Sequence, residues 1–300
     1  MCPTSQVAVP GCESGTDYGA YFLVWAAYSC LTYIVHTEEG GSSTPDSEGG
    51  SVRETDGAKL PAAIEAVWGL RERPQKGPKP GLSLELIIGG AVAIAEAEGI
   101  GAVSMNRVAV DLGVTTMALY RYVGSKDELL VLMTDAAFGA PPDLAAEPGG
   151  WRSGLTRWCR ALLHVQCKHS WMLRIPVNGY PTTPNQLGWL ETGLASLGDT
   201  PLNEHEKLSV MLTLSGFVRI QATLASDIDD YTRATGTAAD EAPASYARVL
   251  EKLASPERFP ALNAVIASGV MDRHDEPDTE FIFGLERFLD GIELLVREKS

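Results

Sequence analysis

The stretch from residue 83 to residue 137 constrains this chain most, because it breaks into short helical segments, each opened by a hydroxyl side chain. Ser83 can cap a helix whose apolar positions are Leu84, Ile87, Ile88, Ala91, Val92 and Ala95, running to Gly99-Ile100-Gly101. Ser104 opens a second, Met105–Leu112, with Met105, Val108, Ala109 and Leu112 facing inward. Gly113 supplies the left-handed residue that ends it. Thr115 can cap a third helix, Thr116–Val123. Two short helices joined by a glycine-containing turn of three or four residues form a helix-turn-helix.

The third helix has too little apolar surface to be an ordinary core element. Leu119 and Val123 can pack inward, but Thr116, Met117, Tyr120, Arg121 and Tyr122 are large or polar over most of its circumference. In a major groove it presents Thr116, Met117 and Arg121 to base edges, with Tyr120 and Tyr122 in reach of phosphate oxygens. Ser125-Lys126-Asp127-Glu128 then reads as a capping box that starts a fourth helix, Lys126–Ala137. The unpaired backbone N–H groups at that end, with the Lys126 ammonium, make an anion site suited to a DNA phosphate.

Charge gives this block a modest bias. The chain carries a formal net charge of −15, which argues against coating nucleic acid by bulk electrostatics. From Arg71 to Lys126, however, seven Lys/Arg stand against five Asp/Glu. Four of those cations lie in Arg71-Glu72-Arg73-Pro74-Gln75-Lys76-Gly77-Pro78-Lys79-Pro80-Gly81. Proline and glycine forbid a regular helix there, leaving either a solvated linker or an arm lying on phosphates or in the minor groove.

The segment Ala102-Val103-Ser104-Met105 through Gly113-Val114-Thr115-Thr116-Met117-Ala118-Leu119-Tyr120-Arg121-Tyr122-Val123-Gly124-Ser125-Lys126-Asp127-Glu128-Leu129-Leu130 resembles the DNA-binding signature of TetR-family repressors. The resemblance implies base contact around Thr116, Met117, Ala118 and Arg121, and phosphate contact from Thr115, Tyr120, Tyr122 and Lys126. It also implies an all-α fold, with a three-helix DNA-binding domain at 82–137 ahead of an effector-binding and dimerisation domain at 150–300. Double-stranded operator DNA, a small-molecule effector and a second copy of the chain are the partners it implies.

Beyond Gly139 the pattern is helical, over Trp151–Lys168, Asn185–Leu197, Asn203–Ala225, Tyr246–Leu253 and Pro277–Arg297. Asp227–Ala242, polar and glycine-punctuated, reads as a long loop. Near the C-terminus, Phe281, Leu285, Phe288, Ile292 and Leu295 form one apolar stripe. Ile282, Leu289 and Val296 widen it, and Gly284 and Gly291 permit close helix approach. A stripe this wide needs two neighbours. By family analogy Asn203–Ala225 and Thr279–Arg297 pair with their mates in a homodimer, setting the reading helices about one DNA turn apart.

Candidate effector contacts are Trp158, Leu162, His164, Trp171, Asn178, Tyr180, Trp189, Met211, Phe217 and Gln221. Aromatics and methionine with few polar groups suit a mostly apolar molecule. The family's metal-bound tetracycline pocket uses a histidine and an arginine-proline-threonine run. Val177-Asn178-Gly179-Tyr180-Pro181-Thr182 has neither the histidine nor the arginine, so the resemblance does not extend to magnesium-tetracycline. His164 and His169, five apart, do not stack on one helical face, and no metal site or cofactor is expected.

Ahead of the helix-turn-helix, residues 59–81 read as a short helix at Lys59–Leu70 and the basic arm. Residues 1–58 read as a dispensable or poorly ordered extension, whose uncharged run Tyr18–Thr37 is about long enough for a bilayer but lacks basic flanks. Five scattered cysteines without a Cys-x-x-Cys suit a reducing cytoplasm. No phosphate loop, Gly-x-Ser-x-Gly or His-Glu-x-x-His is present, so an enzyme is not expected. A membrane-tethered regulator using residues 18–37, and a helical scaffold that does not bind DNA, remain as alternatives.

Overall fold

A computed structural model describes residues 60–70, 82–144, 149–176, 181–236, 242–270 and 278–300. The extension 1–58 and the arm 71–81, together with Asn178 and Tyr180, lie outside them. Among the described residues every regular element is helical. They fall into two compact units, one of residues 60–230 with 281–300, the other of 231–280.

The larger unit begins with α1, Ala62–Val67, shorter than the expected Lys59–Leu70. It continues through α2 (Leu84–Glu98), α3 (Met105–Asp111), α4 (Thr116–Leu119) and α5 (Lys126–Phe138). Each of α2 to α5 is opened by its expected hydroxyl. Ser83, Ser104, Thr115 and Ser125 accept from the backbone N–H of Leu86, Arg107, Ala118 and Glu128, satisfying donors that a helix start leaves orphaned. Gly113, at φ 67°, ends the turn after α3.

Ile87, Ala91, Val103, Val108, Leu119, Val123, Leu129 and Met133 fill one core between these helices. Two groups of residues join it from outside the expected 82–137 boundary. Ala63 and Ile64 of α1 enter it, and so do Trp171 and Met172 from a 3-10 turn, Ser170–Arg174.

A second core lies among α6 (Gly150–Lys168), α7 (Pro184–Ser196), α8 (Glu204–Thr235) and α11 (Thr279–Lys299). Helix α8 runs ten residues beyond the expected Ala225, so the expected loop at Asp227–Ala242 is instead helical as far as Thr235. The segment is polar but has no glycine or proline to interrupt a helix until Gly236, which takes φ 67° directly after it. Arg174 also holds that turn of α8 by pairing with Asp227 and Asp230. In the smaller unit, α9 (Ala242–Leu253) and α10 (Pro260–Ala267) pack around Ala247 and Val270. The second of these helices was not expected.

The C-terminal stripe is narrower than its sequence pattern. Phe281, Leu285 and Leu289 are buried, whereas Ile282 and Phe288 stay exposed. Gly284 is required for close approach, since a Cβ there would sit 2.7 Å from the Phe217 ring. At Gly291 a Cβ would meet nothing within 4 Å.

Candidate nucleic-acid interface and effector core

The expected reading segment is a single turn of helix with one face left exposed. Leu119 and Val123 are fully buried and fix it to the first core. Met117 is 74% exposed and Tyr120 46%, while Thr115 and Arg121 are also exposed. Thr116 and Ala118 are half-buried. The helix stops at Leu119 rather than Val123. Tyr120 still donates to the Thr116 carbonyl, and the chain then tightens into a turn with the Tyr122 N–H on the Leu119 carbonyl at 2.8 Å.

Tyr122 differs from its expected placement. Its hydroxyl donates to the Leu82 carbonyl at 3.0 Å, and its ring packs half-buried against the first core. A phosphate oxygen accepts hydrogen bonds, and this hydroxyl's proton is already engaged in tying α4 to the start of α2.

Lys126 stands exposed at the first turn of α5, one residue after the cap. Glu128, expected to close a reciprocal box on the Ser125 N–H, turns instead to the N–H of Gly124 and, at 3.2 Å, to that of Ala63 in α1. Among the described residues no hydrogen bond or ion pair engages the side chains of Arg121 or Lys126. Arg107 contrasts with them: Glu98 and Asp111 both clasp its guanidinium and hold its pKa above the usual arginine value. Its charge is neutralised within the fold.

Sequence reasoning missed Asn106, whose Oδ1 accepts from the Thr116 hydroxyl at 3.4 Å. The bond links the first turn of α3 to the first turn of α4. Only folding of the two helices brings these residues, ten apart, together.

Of the expected effector contacts, Trp158, Leu162, Trp189 and Met211 come together in the second core. The Trp158 indole donates to the Trp189 carbonyl at 2.8 Å, and the two rings meet edge to face at 6.2 Å. Gly193 admits Met211 beside Trp158, since a Cβ there would lie 2.1 Å from the Met211 methyl. Phe217 is half-buried and stacks on Phe281 at 5.6 Å, and Gln221 lies half-buried on the same helix.

Two candidates sit elsewhere. His164 is exposed, because two residues beyond Leu162 is about 200° around a helix. Trp171 belongs to the first core, with its indole 3.4 Å from a Glu96 carboxylate oxygen. Beside it, His169 Nδ1 pairs with the same oxygen at 2.5 Å. Among the described residues no group of three or more His, Cys, Asp or Glu side chains is placed to hold a metal.

Several polar groups near the junction of the two cores gave little sequence signal. Asp135, an acid two residues after the apolar run Leu129–Met133, is 5% exposed and accepts from the Asn185 and Gln186 N–H groups at 3.0 Å. Arg219 donates to the Leu173 and Ile175 carbonyls, both at 3.0 Å, and its burial lowers its pKa. Gln166 and Thr183 are buried, and among the described residues Gln166 Oε1 and Thr183 Oγ1 make no hydrogen bond.

Two family descriptions match this architecture: "Bacterial regulatory proteins, tetR family" over residues 87–133, and "Tetracyclin repressor-like, C-terminal domain" over residues 142–296. A relative from Streptomyces coeruleorubidus, the HTH-type transcriptional repressor DrrR1, is 34% identical, covering 87% of this chain and 97% of its own length. A match of that extent includes α1 and the basic stretch that follows. An HTH-type transcriptional repressor from Mycobacterium tuberculosis is 28% identical over 79% of this chain and 89% of itself. Among solved structures, the TetR family protein ActR of Streptomyces coelicolor in complex with actinorhodin superposes with a TM-score of 0.59 at 28% identity. It covers 73% of this chain and 99% of that protein. Apo ActR gives 0.57 at 26% identity, over 72% and 97%. With both family domains matched in order over the helices described above, the chain belongs to the TetR family of bacterial transcriptional regulators.

Proposed function

We propose that this regulator is a repressor that binds operator DNA as a homodimer in the cytoplasm and is released by a small, mostly apolar effector. The observation that carries the reading is the exposed set Met117, Tyr120, Arg121 and Lys126 on a segment anchored by the fully buried Leu119 and Val123. Thr116, Met117, Ala118 and Arg121 face base edges, and Asn106 sets the Thr116 hydroxyl. Thr115, Tyr120 and Lys126 meet phosphates, while Tyr122 positions the segment through Leu82.

The dimer surface is the outward face of α8 and α11. Leu208, Leu212 and Ile220 on α8, and Leu294 on α11, are each about half exposed or more. Apolar side chains in that concentration on two adjacent helices suit burial against the same patch of a second copy. The space open at Gly291 leaves room for a partner helix.

The effector region is the second core around Trp158, Leu162, Trp189, Met211, Phe217 and Gln221. ActR, with a comparable fold, is described in complex with actinorhodin, and DrrR1 is named a repressor. Selection of bound DNA by the purified full chain, repeated with candidate small molecules, tests the whole reading. A two-fold symmetric site released by one compound supports it; no enrichment of any sequence would sink it.

A further inference from the structure

The side-chain oxygens Gln166 Oε1 and Thr183 Oγ1 are buried and, among the described residues, make no hydrogen bond. Gln166 is 5% exposed and Thr183 fully buried. A buried polar atom without a partner is costly and calls for an explanation. Neither residue serves the local backbone. Thr183 precedes α7 in the N-cap position, yet its side chain makes no cap bond, because Asp135 of α5 already occupies the N–H groups of Asn185 and Gln186.

The register of α6 on α7 puts the two groups toward one end of one seam. Helices α6 and α7 pack antiparallel, with Gly154 against Ser196 and Trp158 against Trp189 and Gly193. Continuing that register toward the C-terminus of α6, at about 1.5 Å per residue, brings Gln166 level with Thr183. The next buried positions along the two helices are Leu162 and Trp189, both apolar. One end of the seam therefore offers an acceptor and a hydroxyl, and the remainder offers hydrocarbon and indole.

We infer that Gln166 and Thr183 are the polar anchors of the effector, which carries a hydroxyl-type donor on one edge and an apolar, ring-sized body. The inference rests on the effector reading above. The donor goes to Gln166 Oε1, which can only accept, while Thr183 can take either role. Each anchor stands beside a tie to the DNA-binding helices. Three residues after Gln166, His169 pairs with Glu96 of α2. Thr183 lies between Thr182, whose carbonyl accepts from the Trp68 indole at 2.8 Å, and Asn185, held by Asp135 of α5. A molecule gripping both anchors bears on both ties.

The test compares two probes, 2,3-dihydroxyanthraquinone, whose hydroxyls stand on one edge and clear of the quinone carbonyls, and its hydroxyl-free parent anthraquinone, on the full chain. Binding is read by quenching of tryptophan fluorescence. The dihydroxy probe is expected to bind about tenfold more tightly than the parent, the difference that one buried hydrogen bond makes. Gln166→Met and Thr183→Val each remove that advantage and leave binding of the parent unchanged. Both are also expected to raise the Tm of the ligand-free protein, because an apolar replacement removes an unmade bond. Equal binding of the two probes, as when water alone serves these groups, overturns the inference. So does failure of the dihydroxy probe to bind, or a lowered Tm in both variants. A probe that binds through both anchors yet leaves the selected DNA bound supports the anchors and defeats the effector reading instead.

Discussion

Asp135 caps a helix to which it does not belong. Its Oδ1 accepts from the Asn185 N–H at 3.0 Å, and its Oδ2 accepts from the Asn185 side-chain amide at the same distance. The bond set fastens α5, whose first turn carries Lys126, to the start of α7 in the second core. Charge-assisted caps of this kind are strong because helix N-termini concentrate unpaired N–H groups and partial positive charge.

Asp135→Ala is therefore expected to destabilise the protein by about 2–3 kcal/mol, since it strips a buried cap and leaves donors unpaired. Denaturant titration of variant and parent measures this. A change within about 0.5 kcal/mol would mean that Thr183 takes over the cap at little cost.

Lys126→Ala should weaken binding to every DNA sequence by a similar factor and lower the salt slope by about 0.9 per copy. Anisotropy titrations across a range of potassium chloride concentrations give that slope. An unaltered slope would remove Lys126 from the phosphate contacts.

Substitution at the Asn106–Thr116 pair should change which bases are preferred rather than affinity overall. Thr116→Val retains the shape but loses the bond to Asn106. Repeating DNA selection with this variant should shift the consensus at one or two positions in each half-site. An identical consensus would show that the pair does not read bases.

Helix α1 should count as part of the DNA-binding domain. Ile64, 4% exposed in the first core, is expected to lose about 2–4 kcal/mol on replacement by Ala. A chain beginning near Lys59 should bind the selected DNA as well as the full chain does, whereas one beginning at Arg71 should be less stable and bind more weakly. Equal Tm and affinity for the Arg71 chain would make α1 a bystander.

Burial pushes the Cys159 thiol from its ordinary 9.0 up to about 12. The thiolate is the reactive form, so at pH 8.5 alkylation should modify exposed Cys167 and spare Cys159 until the chain unfolds. Between about pH 9 and 12 the unfolded chain has released this proton while the folded chain keeps it. Stability therefore falls as pH rises through that window. Cys159→Ala should flatten the fall in Tm, and an unchanged slope would count against burial as the cause.

The helix starts were legible because capping is local: a hydroxyl and the N–H groups two or three residues later suffice, and Ser83, Ser104, Thr115 and Ser125 all cap as their sequence positions imply. The exposed face of the segment Thr116–Val123 was legible for a related reason, since a helix of about two turns cannot bury Met117, Tyr120 and Arg121 by itself. Sequence alone thus determined the caps, the turn at Gly113 and the outward face of α4. Tertiary structure decided the rest. Whether Glu128 closes on Ser125 or reaches Ala63, whether Tyr122 faces outward or holds Leu82, and whether Thr183 or Asp135 caps α7 all depend on groups 40 to 65 residues away. Such partners are set by how the helices pack, and a side chain's chemistry states what it can bond to without stating what the fold places beside it.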